Sequence, residues 1–195
     1  SDATRLVLKL LLITAQRKSE VSQAEWSEVD LKNGWWTIPK ERSKNERVHR
    51  VPLSAMAVDI FRQAKVHLGE SKWVFPSSKG QPITPRSKSR AIRNNSEKIS
   101  SGSPKHTPPY GDFFKIDHFV PHDLRRTATS MMTSFGISEF DVSKVLNHTI
   151  QSVTNKHYNH YSYDKEKKKA LEIWERKLTT ILTGKSSVKV FPMKR

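Results

Sequence analysis

The feature that most restricts the fold is a stretch near the amino terminus that is apolar on almost every side. Residues 4–16 have helical character, and their apolar side chains are not confined to one stripe. A helix of this kind has to be covered on most of its faces. We therefore predict a core helix against which the other elements pack. The apolar run 6–13 is far shorter than the roughly 20 residues of a membrane span, so no membrane partner is expected.

The charge of the chain indicates a polyanionic partner. The 195 residues include 35 Lys and Arg against 19 Asp and Glu, which gives a formal net charge of +16. The cations are spread along the sequence, and this favours a folded surface that contacts nucleic acid phosphates. A ribosomal or membrane-surface protein could share this charge. There is no cysteine, which excludes disulfides and cysteine-ligated zinc.

After the first helix the hydrophobic pattern changes from a helical to a strand period. Segments 26–31, 35–39 and 48–53 are rich in aromatic and β-branched residues and predict an antiparallel meander, with Asn33-Gly34 as its first turn. Lys44 then lies near the tip of the second hairpin. The expected fold class is α+β, mainly α, with a small antiparallel sheet.

Capping residues and helical spacing predict most of the remaining elements. Ser19, Ser54, Ser138 and Asp164 are expected to cap helices. Phe140 and Ile181 are expected to face the interior, and Gly184 ends the last helix. Helices are predicted over residues 19–24, 54–68, 84–93, 121–135, 138–146 and 164–183, with a short strand at 73–76 and an irregular loop at 100–119.

Residues 121–128 have the features of a helix start. Pro121 suits the entry and Asp123 places negative charge in the first turn. His122 and Arg125 are three residues apart, so both side chains would project from one face toward a shared anion. Taken alone, this octet is compatible with a catalytic pair or with a basic helix that contacts solvent or DNA backbone.

Six polar residues stand out in chain order: Arg17, Lys44, His122, Arg125, His148 and Tyr158. The motifs around them resemble the catalytic domain of the tyrosine recombinases, the phage-type integrases. Residues 14–21 resemble the first-arginine motif of that family, residues 122–127 its His-x-x-Arg box, and residues 146–148 the motif of its second histidine.

The resemblance extends to the hairpin and to the spacing of the tyrosine. Lys44, followed by residues 51–53, is similar to the hairpin lysine and the strand after it. Tyr158 lies ten positions after His148, as in integrases from prophages and genomic islands. The similarity continues to Trp174 and so covers nearly the whole chain. Ala15 is a departure, because many members have Gly there.

The resemblance implies a role for each of the six residues. A guanidinium offers paired donors and stays charged, which suits Arg17 and Arg125 to hold a phosphate in its transition state. His148 would donate to the same phosphate. Tyr158 would be the nucleophile, with His122 helping to take its proton and Lys44 protonating the departing 5′-oxygen. No metal or other cofactor is required.

Three other residues near these motifs receive structural roles. Glu20 is expected to be a buried partner of a nearby cation. Tyr161 and Tyr163 share the chemistry of Tyr158 but lack its spacing, so they are expected to pack beside the last helix.

The implied function is site-specific recombination that integrates or excises a mobile element through a 3′-phosphotyrosine intermediate. The expected partners are double-stranded DNA attachment sites, other protomers in a tetrameric synapse and accessory DNA-bending proteins, in the bacterial cytoplasm at the nucleoid. Two other classes stay open. A type IB topoisomerase would use a similar residue set to relax supercoils, and a basic DNA-binding module would form no covalent adduct.

The predicted domain organisation is a catalytic domain over residues 1–184 and a tail over 185–195. Because the sequence begins directly in a core helix, we expect an isolated catalytic domain without its amino-terminal DNA-clamping domains. Val188 and Val190 alternate with polar residues in the tail, which could add a strand to this domain or to a neighbouring protomer.

Overall fold

The computed structural model of the chain describes residues 1–84, 92, 119–148 and 161–184. This part is mainly helical with a three-stranded antiparallel sheet, which confirms the predicted fold class. The helices are α1 Asp2–Thr14, α2 Lys18–Ser22, α3 Ala55–His67, α4 Pro121–Ser134, α5 Glu139–Val145 and α6 Asp164–Thr183. The strands are β1 Val29–Asp30, β2 Trp35–Ile38 and β3 His49–Pro52.

Helix α1 forms the centre of the core, as its composition predicts. Leu6, Val7 and Leu10 are fully buried, and α2, α3, α4 and α6 all pack on this helix. Full burial of one such side chain contributes about 1.5–3 kcal/mol. Trp174 of α6 donates its indole N–H to the carbonyl of Leu12 at 3.0 Å, which fixes the last long helix against the first.

The sheet has the order β1-β2-β3, with Trp35 opposite Pro52 and Ile38 opposite His49. In the first turn only Gly34 adopts a positive φ, 72°; Asn33 instead donates its backbone N–H to Asp30 at 2.9 Å. The predicted first strand is too long. Residues Trp26–Glu28 form a 3-10 turn, because the N–H of Trp26 bonds to Lys72 outside the sheet.

Several predicted helix starts are confirmed and three are displaced by one or two residues. Helix α1 spans Asp2–Thr14 and not the predicted 4–16, because Ser1 caps it and Ala15 ends it in a left-handed conformation. Ser138 caps α5 by accepting the N–H of Asp141 at 3.1 Å. Arg17, and not Ser19, is the N-cap of α2, since the Glu20 carboxylate takes its backbone N–H. Tyr163, and not Asp164, occupies the N-cap position of α6.

The predicted inward orientation of Phe140 and Ile181 is wrong. Phe140 is 40% exposed because its ring packs on that of Tyr163 (centroids 5.3 Å apart) at the surface. Ile181 is 54% exposed, since it follows Leu178, the last buried residue of α6. Residues 73–76 pair only through isolated bridges at Trp73 and Pro76 and form no continuous strand.

Three predicted features lie wholly or mostly outside the described residues. They are the helix 84–93, of which Thr84 and Ile92 are described, the loop 100–119 apart from Phe119, and the tail 185–195. Among the helices of the described ranges, none has the length and hydropathy needed to span a membrane.

Candidate active site

Arg17 lies between α1 and α2, and Glu20 fixes its orientation. The buried Glu20 carboxylate accepts the backbone N–H of Arg17 at 3.0 Å and its Nη1 at 3.0 Å. A carboxylate three residues into a helix satisfies a donor that the helix start would otherwise leave free. The prediction that Glu20 partners a nearby cation is therefore confirmed. The Arg17 side chain keeps 18% of its surface exposed.

Arg125 projects from α4 into the interior, where only 5% of it is exposed. Its Nη1 donates to the carbonyl of Ala15 at 2.7 Å and its Nη2 to that of Leu146 at 2.8 Å. Burial lowers the pKa of Arg125 to about 10, with the charge of Arg17 acting in the same direction and Glu20 opposing it. The side chain is therefore still a cation at neutral pH.

His148 lies beside Arg125 at the rim of the site. Its Nε2 is 3.2 Å from Nη2 of Arg125. A guanidinium only donates, so this nitrogen is the acceptor and a neutral ring carries its proton on Nδ1. Partial burial and the charges of Arg125 and Arg17 lower the pKa of His148, which favours this neutral form. In this state the histidine accepts from the arginine with one nitrogen and offers a donor with the other.

The carboxyl-terminal end of α5 holds both arginines. The carbonyl of Leu146 accepts from Arg125, and that of Asn147 accepts from Nη2 of Arg17 at 3.3 Å. These are carbonyls at the negative end of the helix dipole, which attracts cations. Asn147 has a left-handed backbone, φ 51°, and His148 follows directly. One helix end thus brings Arg17, Arg125 and His148 together.

The loop of the second hairpin is attached to the same helix end. Asn45 donates its side-chain amide to the carbonyl of Asn147, and Asn147 donates to Ser43 Oγ at 3.0 Å. Lys44 lies between these two anchored residues with its own side chain exposed. The loop therefore places the predicted acid next to the residue that precedes His148.

His122 lies in the first turn of α4, with its side chain exposed. It makes no hydrogen bond or ion pair to the described residues, whereas Arg125 one turn later points into the core. Arg126 is turned to solvent and pairs with Asp123 at 3.4 Å. A shared anion for His122 and Arg125 stays a prediction.

Tyr158 lies outside the described residues, so its role as nucleophile also stays a prediction. Tyr161 and Tyr163 pack edge to face beside the start of α6, with centroids 4.8 Å apart, as expected of them. Within residues 1–84, 119–148 and 161–184 no group of His, Asp and Glu could hold a metal ion.

The sequence analysis gave no role to Ser43, Asn45 or Asn147, although each contributes a polar contact to the site. Their only signal is position, because Ser43 and Asn45 flank Lys44 and Asn147 lies within the motif of the second histidine. Short polar side chains of this kind commonly bond to nearby backbone groups, and they are frequent in loops for that reason.

Residues 2–165 match the phage integrase family. The chain belongs to this family. Prophage integrase IntA of Escherichia coli is 26% identical over 176 residues, which are 89% of this chain and 38% of IntA. The integrase of Enterobacteria phage P4 is 34% identical over 85 residues, 37% of this chain and 19% of that protein. The chain thus spans well under half the length of these two phage integrase family members.

Solved structures show that the fold is that of the catalytic domain of this family. The integrase from mycobacterium phage Brujita aligns with a TM-score of 0.63 and 16% identity, covering 89% of this chain and 52% of that one. The lambda integrase catalytic core aligns with a TM-score of 0.53 and 19% identity, covering 75% of this chain and 84% of that one. The predicted family and fold are both confirmed.

Proposed function

We propose that this chain is the catalytic domain of a site-specific DNA recombinase that integrates or excises a mobile element. The observation that supports this most strongly is the junction at the end of α5, where Arg17, Arg125 and His148 meet. Two guanidinium groups and an imidazole donor match the charge of a phosphodiester in its transition state. The strongly basic composition supplies the wider field that DNA requires.

In the proposed reaction, the phenolic oxygen of Tyr158 attacks the scissile phosphorus. The bond from phosphorus to the 5′-oxygen breaks, and a 3′-phosphotyrosine forms. His122 helps to take the phenolic proton and Lys44 gives a proton to the leaving 5′-oxygen. The phosphodiester bond energy is conserved in the adduct, so the 5′-hydroxyl of a partner strand can attack it and release Tyr158. The two arginines and His148 hold the charge in both steps.

We further propose the assembly in which this reaction takes place. The catalytic domain covers residues 1–184, and the tail 185–195 docks on this domain or on a neighbour. Lambda integrase has been solved as a tetramer bound to a Holliday junction, and four copies of this chain would form a comparable synapse on paired attachment sites. Accessory DNA-bending proteins would assist at the nucleoid of the bacterial cell.

Covalent capture tests the proposal. The chain is incubated with a nicked duplex that carries the ends of its mobile element, and DNA-linked protein is sought on a denaturing gel. We expect an adduct with the wild-type chain and with Tyr161→Phe, and none with Tyr158→Phe. An adduct that survives Tyr158→Phe would contradict the assignment of the nucleophile. Relaxation of a supercoiled plasmid without an attachment site would instead favour a topoisomerase, and no adduct on any duplex would favour a binding module.

A further inference from the structure

A buried polar pair lies directly behind the two arginines and is not part of the proposed chemistry. Gln16 immediately precedes Arg17, and His49 is the first residue of β3. Gln16 is completely buried and His49 is 5% exposed. Burying two polar side chains costs free energy unless their polar atoms are bonded, so a pair retained in the core calls for a structural reason.

Gln16 and His49 bind the carbonyl of Val145 at the end of α5, which neither arginine contacts. Gln16 Nε2 donates to Val145 at 3.0 Å, and His49 Nε2 lies 3.2 Å from the same oxygen. The next carbonyl, of Leu146, accepts from Arg125, and that of Asn147 accepts from Arg17 and from the side-chain amide of Asn45. Three consecutive carbonyls, of residues 145, 146 and 147, therefore each accept a hydrogen bond from a side chain of the site.

The hydrogen bonds define the protonation of both side chains. Gln16 Nε2 donates its two protons to the carbonyls of Thr14 (2.7 Å) and Val145. The other atom of the amide, Oε1, therefore faces His49 Nε2 at 3.2 Å. His49 Nε2 thus meets two acceptor oxygens and must carry the ring proton. The ring is neutral, because burial lowers the pKa of His49 to about 3, and the charges of Lys167, Arg17 and Arg125 act in the same direction.

We infer that Gln16 and His49 are positioning residues, which hold the end of α5 in the register that aims Arg17 and Arg125 at the scissile phosphate. This inference rests on the proposed function for its catalytic meaning. Without the donor on His49, Gln16 Oε1 and the Val145 carbonyl lose a partner in the core. The helix end would then shift, and both arginines are bonded to the two residues that follow Val145. A displacement of about 1 Å can cost about 100-fold in rate.

Three variants separate a positioning role from simple packing. His49→Gln can place an amide N–H where Nε2 stood, His49→Leu cannot, and His67→Leu is a matched control at the exposed end of α3. The readouts are single-turnover adduct formation at saturating DNA, the Kd for the same duplex and the melting temperature. A fourth readout is the ¹⁵N–¹H spectrum of the arginine side chains in free protein, where bonded guanidinium groups such as that of Arg125 give resolved signals.

We expect His49→Leu to slow adduct formation by about 10- to 100-fold with little change in Kd, and to alter the Arg125 signals. His49→Gln should restore most of both, and His67→Leu should change neither. Equal losses in His49→Leu and a well-folded His49→Gln would overturn the proposal, as would an unchanged Arg125 signal in His49→Leu. If His49→Leu does not melt cooperatively, Gln16→Met, which removes the amide at similar volume, takes its place with the same expectations.

The two proposals fail in different ways. If the wild-type chain forms no adduct, the proposed recombinase function fails, while the arginine spectrum still tests whether His49 orders Arg125. If the wild-type chain forms adduct and the spectrum of His49→Leu is unchanged, only the positioning role fails.

Discussion

The guanidinium of Arg125 is bonded to the carbonyl of Ala15, the residue that ends α1 with a left-handed backbone at φ 54°. A residue with a side chain pays roughly 1–2 kcal/mol for that conformation, which glycine adopts freely. This conformation explains why glycine suits the position at which the sequence of this chain has Ala15. Ala15 thus ends α1 directly before Gln16 and Arg17, and the Ala15 carbonyl accepts from Arg125.

Replacing Arg125 by lysine should abolish most cleavage activity and destabilise the domain. A lysine ammonium cannot reproduce the planar fork that reaches both Ala15 and Leu146, and each buried carbonyl left without a partner costs about 1–3 kcal/mol. Arg126→Lys is the matched control, because Arg126 is exposed and, within the part of the chain that the structure describes, pairs only with Asp123. Adduct formation and urea unfolding measure the two effects. Equal behaviour of the two variants would contradict the buried role of Arg125.

Glu20→Gln should destabilise the domain more than the same change at an exposed pair. Glu20 is buried and holds Arg17 through two hydrogen bonds, so removal of its charge leaves Arg17 less well compensated, at a cost of about 1–3 kcal/mol. Asp2 also pairs with a residue three positions later, Arg5, but in solvent, and Asp2→Asn should cost under about 1 kcal/mol. Denaturant unfolding of both variants checks the difference, and similar losses would refute it.

The stability of the domain should depend on pH through His49. Its pKa is about 3 in the folded chain and 6.5 ordinarily, so below pH 6.5 the unfolded chain binds a proton that the folded one does not. This contribution is fully present above pH 6.5 and is lost as the pH falls toward 3. Between pH 7 and pH 5 the wild-type chain should lose about 2 kcal/mol that His49→Gln does not lose. The measurement is the free energy of unfolding of both proteins as a function of pH. If the two curves fall by the same amount between pH 7 and pH 5, His49 is not held neutral in the folded chain.

Lys167→Met should loosen the attachment of α6 to β3. Lys167 is buried, donates to the carbonyl of Arg50 at 2.8 Å and pairs with Asp164 at 2.9 Å. The substitution leaves that carbonyl and part of the carboxylate without a partner, and we expect a loss of about 1–3 kcal/mol. Lys168→Met changes an exposed neighbour and should stay within about 0.5 kcal/mol. Thermal melts of both variants, with hydrogen exchange in the first turn of α6, give the comparison.

The elements that the sequence predicts well are those whose signal is local. The apolar composition of α1, the Asn33-Gly34 turn and the Ser138 cap each depend on residues within a few positions, and the structure has all three. The predicted orientation of Phe140 was wrong because the periodicity of a seven-residue helix does not determine which of its sides is covered. The ring of Tyr163, which lies outside this helix, packs on Phe140 at the surface.

In the candidate active site, too, contacts between residues distant in the sequence were the ones that the sequence did not predict. The family motifs predict that Arg17, Arg125 and His148 come together, and the structure brings them to one helix end. Glu20 was predicted as a partner of a cation and holds Arg17. The carbonyls that hold both arginines could not be predicted, because every residue has a backbone carbonyl. Gln16 and His49 were missed for a related reason. A lone buried histidine on a strand has no sequence signature until the residue that it faces is known.

The three filled carbonyls at the end of α5 also bear on how the chain reaches its native state. Two of their bonds join distant parts of the chain: Gln16 and Val145 are 129 positions apart, and Arg17 and Asn147 are 130 apart. Arg125, which binds the third carbonyl, also reaches back 110 positions to the carbonyl of Ala15 at the end of α1. Contacts of such high contact order are the slow ones to form, since a long loop must close before they contribute. A nascent or partly unfolded chain can therefore carry its full positive charge on DNA before its two arginines meet. Under the proposed recombinase function, strand cleavage would begin only when the first and last thirds of the domain have docked, so incompletely folded copies would leave bound DNA intact.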